Sequence, residues 1–488
     1  MSKFLLIYLQ EVSTMDRSEI IGRKQEIDRL DRCMDSSEPQ LIALYGRRRV
    51  GKTFLVNHYF NGRFDFKLTG IYDQPVDIQL KNFAIELSGQ TGDDMVIPSD
   101  WMEAFSMLKS YIESRPDDSK VVVFFDEMPW MDTVKSGFVA AFEWFWNSYG
   151  NARTNLVFVI CGSATSWMRA NLDANKGGLY NRLTCRLYLR PFTLAETEQY
   201  LQSRGISWSR YDIVECYMII GGIPYYQSLL LPDMSLAQNV DNIFFRKRAE
   251  LWDEFRFLYQ TLFKNSAAYI SIAEALSRKR NGMMRDEIVR ESGLPNNGRI
   301  TQMLNDMEYS GFVRINDQYG VKGKRYQLSD YYSLFYFRFI KDNYGRDEHF
   351  WSHMLDNPAR RAWAGLTFEQ VCMDHIPQIK KGLGISGVLS ENSVWASRGD
   401  DGHDGAQIDL LIKRRDRVTN ICEIKFSTGE FAIDKKYDLA LRNKITAFQS
   451  ETGTKDTLQL TFITTYGVKK NKYSGIVQNE VTMDDLFA

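Results

Sequence analysis

The sequence predicts an α/β fold built on a mostly parallel sheet. Near-continuous apolar runs at 40–45, 121–125 and 155–161 read as strands buried on both faces. Helical patterns separate them, as at 102–114 and 137–146, and strands alternating with helices imply parallel crossovers. A glycine-rich run, Gly46-Arg47-Arg48-Arg49-Val50-Gly51-Lys52-Thr53, lies where the first strand gives way to a helix.

The chain has 488 residues, enough for two to four domains at roughly 100–200 residues each. Hydrophobic residues make up 44% and charged residues 25%, which excludes a disordered or fibrous class. The formal net charge of −1 gives no global pull toward nucleic acid or an acidic membrane, so any such contact must come from a local basic patch. The six cysteines form no Cys-x-x-Cys pair, and several sit in apolar runs. That argues for buried, reduced thiols in a cytoplasmic protein rather than a disulfide frame or zinc site. No apolar run approaches transmembrane length. Residues 4–9 are too short for a signal-peptide core and are expected to form an edge strand or to precede the true start.

Three segments follow from the element order. Residues 16–265 carry the strands above and turn mostly helical after Pro191, with Gly221-Gly222-Ile223-Pro224 as an interruption. Residues 266–345 read as helices at 269–278, 284–292 and 297–309, then short strands at 312–315 and 325–328, the order of a winged helix-turn-helix. Residues 350–488 return to α/β, with a helix at 366–376 and strands at 408–413 and 420–425.

The run 46–53 has the Gly-x-x-x-x-Gly-Lys-Thr spacing of a P-loop, preceded by a strand and followed by a helix. Glycines let backbone N–H groups wrap phosphates at a helix N-terminus, where the dipole favours anions. Lys52 is expected to reach the β and γ phosphates of ATP and Thr53 to ligate Mg2+. The strand at 121–125 delivers Asp126 and Glu127 at its C-terminal end, where ligands bind in open α/β sheets. Asp126 is expected to hold the magnesium shell and Glu127 to polarise the attacking water, with a solvated residue capping the strand end as the alternative for Glu127. The third strand ends at Cys161-Gly162-Ser163; Ser163 fits the small polar residue that this ATPase class presents near the γ-phosphate, with an ordinary strand-end turn as the alternative.

These features, with Ile21-Gly22-Arg23, Leu179-Tyr180-Asn181-Arg182, Leu189-Arg190-Pro191-Phe192 and Gly221-Gly222-Ile223-Pro224-Tyr225-Tyr226, resemble the archaeal-type ATPase family of the AAA+/STAND branch. The resemblance covers residues 18–265 and implies a P-loop NTPase with a helical lid. It implies that Gly22 and Arg23 border the adenine pocket, with Gly46, Arg47, Arg48, Arg49, Val50, Gly51, Lys52, Thr53 and Asp126 around the phosphates and magnesium. It also implies that Arg182 is an arginine finger or a cis sensor; a surface arginine is the alternative. For the Gly221–Pro224 turn, a nucleotide-sensing role stands beside a plain interhelical turn.

In the middle segment the helix 297–309 would be the recognition helix, with Asn296, Asn297, Arg299 and Gln302 on its polar face and Lys322, Lys324 and Arg325 in the wing. Residues 270–328 hold ten Lys or Arg and seven Asp or Glu, a surplus of three, so a packing module competes with DNA binding.

In the third segment Asp409 opens one strand, and Glu423 and Lys425 alternate onto one face of the next. With Glu369 from the preceding helix, they resemble the PD-(D/E)XK nuclease fold over residues 355–470. The family's proline is absent, since Ile408 precedes Asp409. The resemblance implies a small α/β restriction-endonuclease-like domain in which Glu369, Asp409 and Glu423 bind a metal and Lys425 orients the attacking hydroxide. An inactive partner-binding module is the alternative. His403, in the run 399–405, is expected to be solvated.

The function expected is an ATP-hydrolysing switch or motor on nucleic acid, with ATP and Mg2+ as cofactors, DNA and further copies of itself as partners, and no membrane. The rival is an ATP-controlled signalling or assembly scaffold.

Overall fold

The computed structural model describes residues 16–163, 165–173, 181–263, 265–279, 281–320, 323–343, 345–400 and 403–488. The run 4–9, Leu179, Tyr180 and Lys322 lie outside the described residues. The chain divides into two compact units, Met1–Pro191 and Phe192–Ala488.

The first unit is a five-stranded sheet in the order β2-β3-β4-β1-β5, with β1 at Gln40–Tyr45, β2 at Phe66–Thr69, β3 at Val121–Asp126, β4 at Leu156–Gly162 and β5 at Cys185–Tyr188. Every pairing is parallel. The α/β class and the strands β1, β3 and β4 follow the sequence expectation. β2 and β5 were not anticipated, because four-residue strands are too short to show a periodicity.

β3 and β4 are buried along their whole length. One face of the sheet carries Phe66, Phe125 and Phe158 into a core with Phe83, Trp101, Phe105, Phe142 and Phe145 from the helices Val76–Thr91, Trp101–Glu113 and Phe138–Ser148. Burying each such ring is worth about 2–3 kcal/mol. Asp100 caps the second of these helices through the Glu103 N–H, 2.9 Å away.

In the second unit, helix Arg210–Ile220 ends at Gly221, whose φ of +63° suits glycine. A Cβ on Gly222 would lie 1.9 Å from the Phe192 carbonyl oxygen, so only glycine lets these backbones meet. The buried Arg360 Nε donates to Glu215 at 2.9 Å, joining helices Pro358–Asp374 and Arg210–Ile220.

Helices Ser266–Ser277, Arg285–Ser292 and Gly298–Tyr309 precede the antiparallel pair β6 (Val313–Asp317) and β7 (Lys324–Leu328). Met283 and Tyr326 exchange backbone hydrogen bonds at 2.8 and 2.9 Å, adding a short third rung.

The second large sheet has the order β12-β11-β10-β9-β8, formed by β8 (Ser390–Asp400), β9 (His403–Arg414), β10 (Val418–Lys425), β11 (Thr457–Thr464) and β12 (Asn479–Thr482). β8, β9 and β10 pair antiparallel, whereas β10, β11 and β12 pair parallel. Helix Lys435–Thr452 makes the crossover between the parallel strands β10 and β11.

One sequence expectation is corrected here. β9 starts at His403, not at Asp409, so Asp409 lies within the strand. Gly399 pairs with Asp404 and Asp400 with His403, so β8 and β9 stay paired to these ends. Ladder hydrogen bonds use backbone groups alone, so a polar, glycine-rich stretch can form a strand that its side chains do not announce.

Candidate functional site

The first site grows from the C-terminal ends of β1, β3 and β4. Gly46 leaves β1 with φ +148°, and a Cβ there would lie 2.4 Å from the Leu189 carbonyl oxygen after β5. Glycine is therefore required where β5 approaches the loop. Arg49 and Gly51 both take positive φ, and helix Lys52–Tyr59 begins at once. The loop thus closes tightly over a helix N-terminus, the geometry that gathers N–H groups around an anion.

Lys52 is buried, and its ammonium donates to the Gly46 and Arg47 carbonyls at 3.1 and 3.0 Å. Thr53 Oγ1 donates to Asp126 Oδ2 at 2.8 Å, linking the P-loop helix to the end of β3. Asp126 Oδ1 accepts the Glu127 N–H at 3.0 Å. The buried Cys161 thiol is pushed well above its ordinary pKa by burial and by the Asp126 charge.

β4 runs between β1 and β3, so Ser163, the residue after it, lies between the P-loop and the two carboxylates. The Glu127 carboxylate accepts the Ser163 N–H at 3.1 Å and its Oγ–H at 2.8 Å. Glu127 holds φ +46°, a left-handed conformation that costs a residue with a Cβ about 1 kcal/mol or more. The fold keeps this strain where the carboxylate meets Ser163.

Gly22 and Arg23 take φ +66° and +58° in the turn before helix Lys24–Met34. The buried Arg23 guanidinium donates to Arg190 O at 2.7 Å and Val50 O at 3.2 Å, tying this turn to the loop and to the end of β5. Arg182 is exposed in the turn preceding β5, away from these hydrogen bonds. Arg48 and Val50 complete the loop, Arg48 half-buried and Val50 buried.

Residues 20–230 match the family described as an ATPase domain predominantly from Archaea. Over these residues the chain is a member of that ATPase family. Two relatives come from Methanocaldococcus jannaschii. The uncharacterized protein MJECL04 is 24% identical over 416 residues, covering 83% of this chain and 87% of its own. The uncharacterized ATP-binding protein MJ0423 is 42% identical over 43 residues, 9% of this chain and 73% of its own. Among solved structures, the Walker-type ATPase PABY2304 of Pyrococcus abyssi is 17% identical, with TM-score 0.47 over 67% of this chain and 98% of that one. The Aeropyrum pernix ORC2 protein in its ADPNP–ADP complexes is 13% identical, with TM-score 0.40 over 68% of this chain and 98% of that one. Among the described residues, no helix of this archaeal-type ATPase is long and apolar enough to cross a membrane.

The C-terminal residues of the ATPase chain divide into two groups. Glu369 and Asp409 line a cavity of about 480 Å3. Asp409 Oδ1 accepts the Gln407 side-chain amide at 2.9 Å. Glu423 is buried and does not line that cavity. Lys425 Nζ lies 2.9 Å from Glu423 Oε1, and Lys444 and the Tyr437 hydroxyl also donate to this carboxylate. Burial opposes ionisation of Glu423, but the Lys444 and Lys425 charges outweigh it and pull its pKa down to about 2.

Among the described residues, no group of three or more His, Cys, Asp or Glu side chains is placed to hold a metal ion. Of the residues expected at a metal centre, Glu369 and Asp409 lie at the cavity and Glu423 lies with its two lysines. A carboxylate already neutralised by two ammonium groups is a poor cation ligand. Sequence reasoning missed Lys444 and Tyr437, although their spacing of seven residues puts both on one face of helix Lys435–Thr452.

The expected recognition face is largely engaged within its own module. Asn297 caps its helix through the Arg299 N–H at 3.0 Å, Asn296 accepts from Arg285 at 2.7 Å, and Gln302 donates to Asp306 at 3.0 Å. Arg299 is exposed. In the wing, Lys324 is exposed and Arg325 donates to the Gly282 carbonyl at 3.2 Å.

Proposed function

We propose that this archaeal-type ATPase is an ATP-binding and ATP-hydrolysing switch or motor that acts on nucleic acid. The observation that carries the reading is the coupling of two pairs across three strands: Thr53 with Asp126, and Glu127 with Ser163. One pair offers hard oxygen atoms suited to Mg2+, which would neutralise charge on the β and γ phosphates. The other joins a carboxylate and a hydroxyl, groups suited to orienting an attacking water.

On this reading Lys52 exchanges its two carbonyl acceptors for phosphate oxygens, while the backbone of Gly46, Arg47, Arg48, Arg49, Val50 and Gly51 encloses the phosphates. Gly22 and Arg23 border the base. Arg182 serves as a finger toward a neighbouring copy, which suits its exposure. Residues 16–265 form the ATPase domain with its helical lid, 266–345 a winged helix-turn-helix, and 350–488 a nuclease-like domain that contacts nucleic acid.

ATP turnover measured with and without DNA tests this. Stimulation by DNA supports it, and absence of turnover with magnesium and ATP would sink it. The scaffold reading has one observation behind it: Glu423 is held by Lys425 and Lys444, as in a C-terminal domain that does not cleave. That reading predicts ATP-dependent assembly with turnover indifferent to DNA.

A further inference from the structure

The turn that begins at Glu127 is gripped from two sides. The Trp130 N–H closes it on the Glu127 carbonyl at 2.9 Å. On one side the exit of β2 presses against it. The Gly70 N–H donates to the Asp126 carbonyl at 2.9 Å, and a Cβ on Gly70 would lie 2.7 Å from the Glu127 carbonyl oxygen. On the other side, a Cβ on Gly162, at the end of β4, would lie 2.8 Å from the Pro129 ring.

The link on the β2 side is Gln79, in the first turn of helix Val76–Thr91. This helix otherwise buries Leu80, Phe83 and Leu87 in the apolar core, and Gln79 itself is only 1% exposed. Its Oε1 accepts the Ile71 N–H at 3.1 Å. Its Nε2 donates to the Ile71 carbonyl at 2.6 Å and to the Trp130 carbonyl at 3.1 Å. Both amide hydrogens are thus engaged, one by the loop after β2 and one by the turn after β3. A buried carboxamide is tolerated only with such partners. Methionine would fill the same space; joining these two backbone segments requires the amide. Tyr72 extends the join to the surface, its exposed ring edge-on to Trp130 at 5.4 Å.

A left-handed residue with a Cβ persists only where its surroundings over-determine it. At Glu127, with φ +46°, Ser163 holds the carboxylate, while Gly70 and Gln79 hold the backbone that carries it. Resting on the water-orienting role proposed for Glu127, we infer that Gln79 is a positioning residue for ATP hydrolysis. By locking the 127–130 turn to the β2 exit loop, it keeps Glu127 in the conformation that aims its carboxylate. It acts through Glu127 and not on the nucleotide.

The test sets steady-state turnover of magnesium ATP beside calorimetric titration with magnesium ADP, on the full chain. Gln79→Met keeps the volume and removes all three hydrogen bonds. It should lower kcat by about tenfold to a hundredfold, the effect of misplacing a reacting group by about 1 Å, and leave ADP affinity unchanged. Asn82→Ala is the control. It removes a 2.9 Å bond from the same helix to the Thr69 carbonyl, one residue before Gly70, and should keep full turnover. In a Glu127→Gln background, Gln79→Met should cost nothing further in single-turnover rate, because both changes remove one function. A glutamine that only stabilises the fold would multiply the two losses. If Gln79→Met does not fold, Gln79→Glu, which keeps the acceptor for Ile71 and loses a donated bond, is measured in its place. Full turnover in the folded Gln79 variant would overturn the inference. So would an equal loss in Asn82→Ala, a fall in ADP affinity in step with kcat, or multiplied losses in the double variant. Full turnover in Glu127→Gln would bring down the Glu127 reading and this inference with it. An inactive Glu127→Gln beside a fully active Gln79→Met would bring down this inference alone.

Discussion

Ser163 donates both its backbone N–H and its hydroxyl to one oxygen of Glu127, although 36 residues separate them. The proposed catalytic carboxylate is therefore held by the strand next to its own. Glu127→Gln should keep ATP binding and lower turnover by about 100-fold or more, the usual worth of a positioned base. Ser163→Ala keeps the backbone donor and should cost about tenfold, the size of one hydrogen bond to a charged group. Steady-state turnover beside nucleotide titration checks both. Full turnover in Glu127→Gln would remove the water-positioning role.

Lys52 and Arg182 separate binding from turnover. Lys52→Ala should weaken ATP at least about tenfold, since it removes a charge-assisted contact to phosphate. Arg182→Ala should leave affinity intact and lower turnover. Mixing the two variants should restore part of the activity if Arg182 reaches a neighbour's site. Turnover of the unaltered chain that is independent of dilution would count against that arrangement.

Glu423 should make the second unit acid-sensitive. Its carboxyl ionises at about 2 in the folded chain and at about 4.3 when unfolded. A depressed pKa contributes stability that is present above about 4.3 and lost as the pH falls toward about 2. The gap between the unfolding midpoints of the unaltered chain and of Glu423→Gln should be constant above about pH 5, shrink as the pH falls below about 4.3, and close only below about pH 2. A gap that stays constant from about pH 4.3 to about pH 2 contradicts the account.

The buried Arg360–Glu215 pair should be costly to break. Glu215→Ala leaves an uncompensated guanidinium and should destabilise the second unit by about 3–5 kcal/mol. Replacing both partners, as Glu215→Leu with Arg360→Met, should recover most of that loss. A denaturant titration of the three proteins measures it.

Local spacing alone spelled out the P-loop, the Asp126-Glu127 strand end and the helix-hairpin order of the middle segment. Each depends on residues within one strand–turn–helix or one hairpin, where backbone preference and apolar periodicity are written side by side. The alternation that puts Glu423 and Lys425 on one face was legible for the same reason, and the two are ion-paired at 2.9 Å. What tertiary structure decided came from distant chain segments. The order β3-β4-β1 brings Ser163 to Glu127. The crossover helix carries Lys444 and Tyr437 to Glu423. The wing tip packs the half-buried Tyr319 against the core of the C-terminal sheet. Such partners meet only when long loops close, and loop closure leaves no periodic mark on the sequence between them.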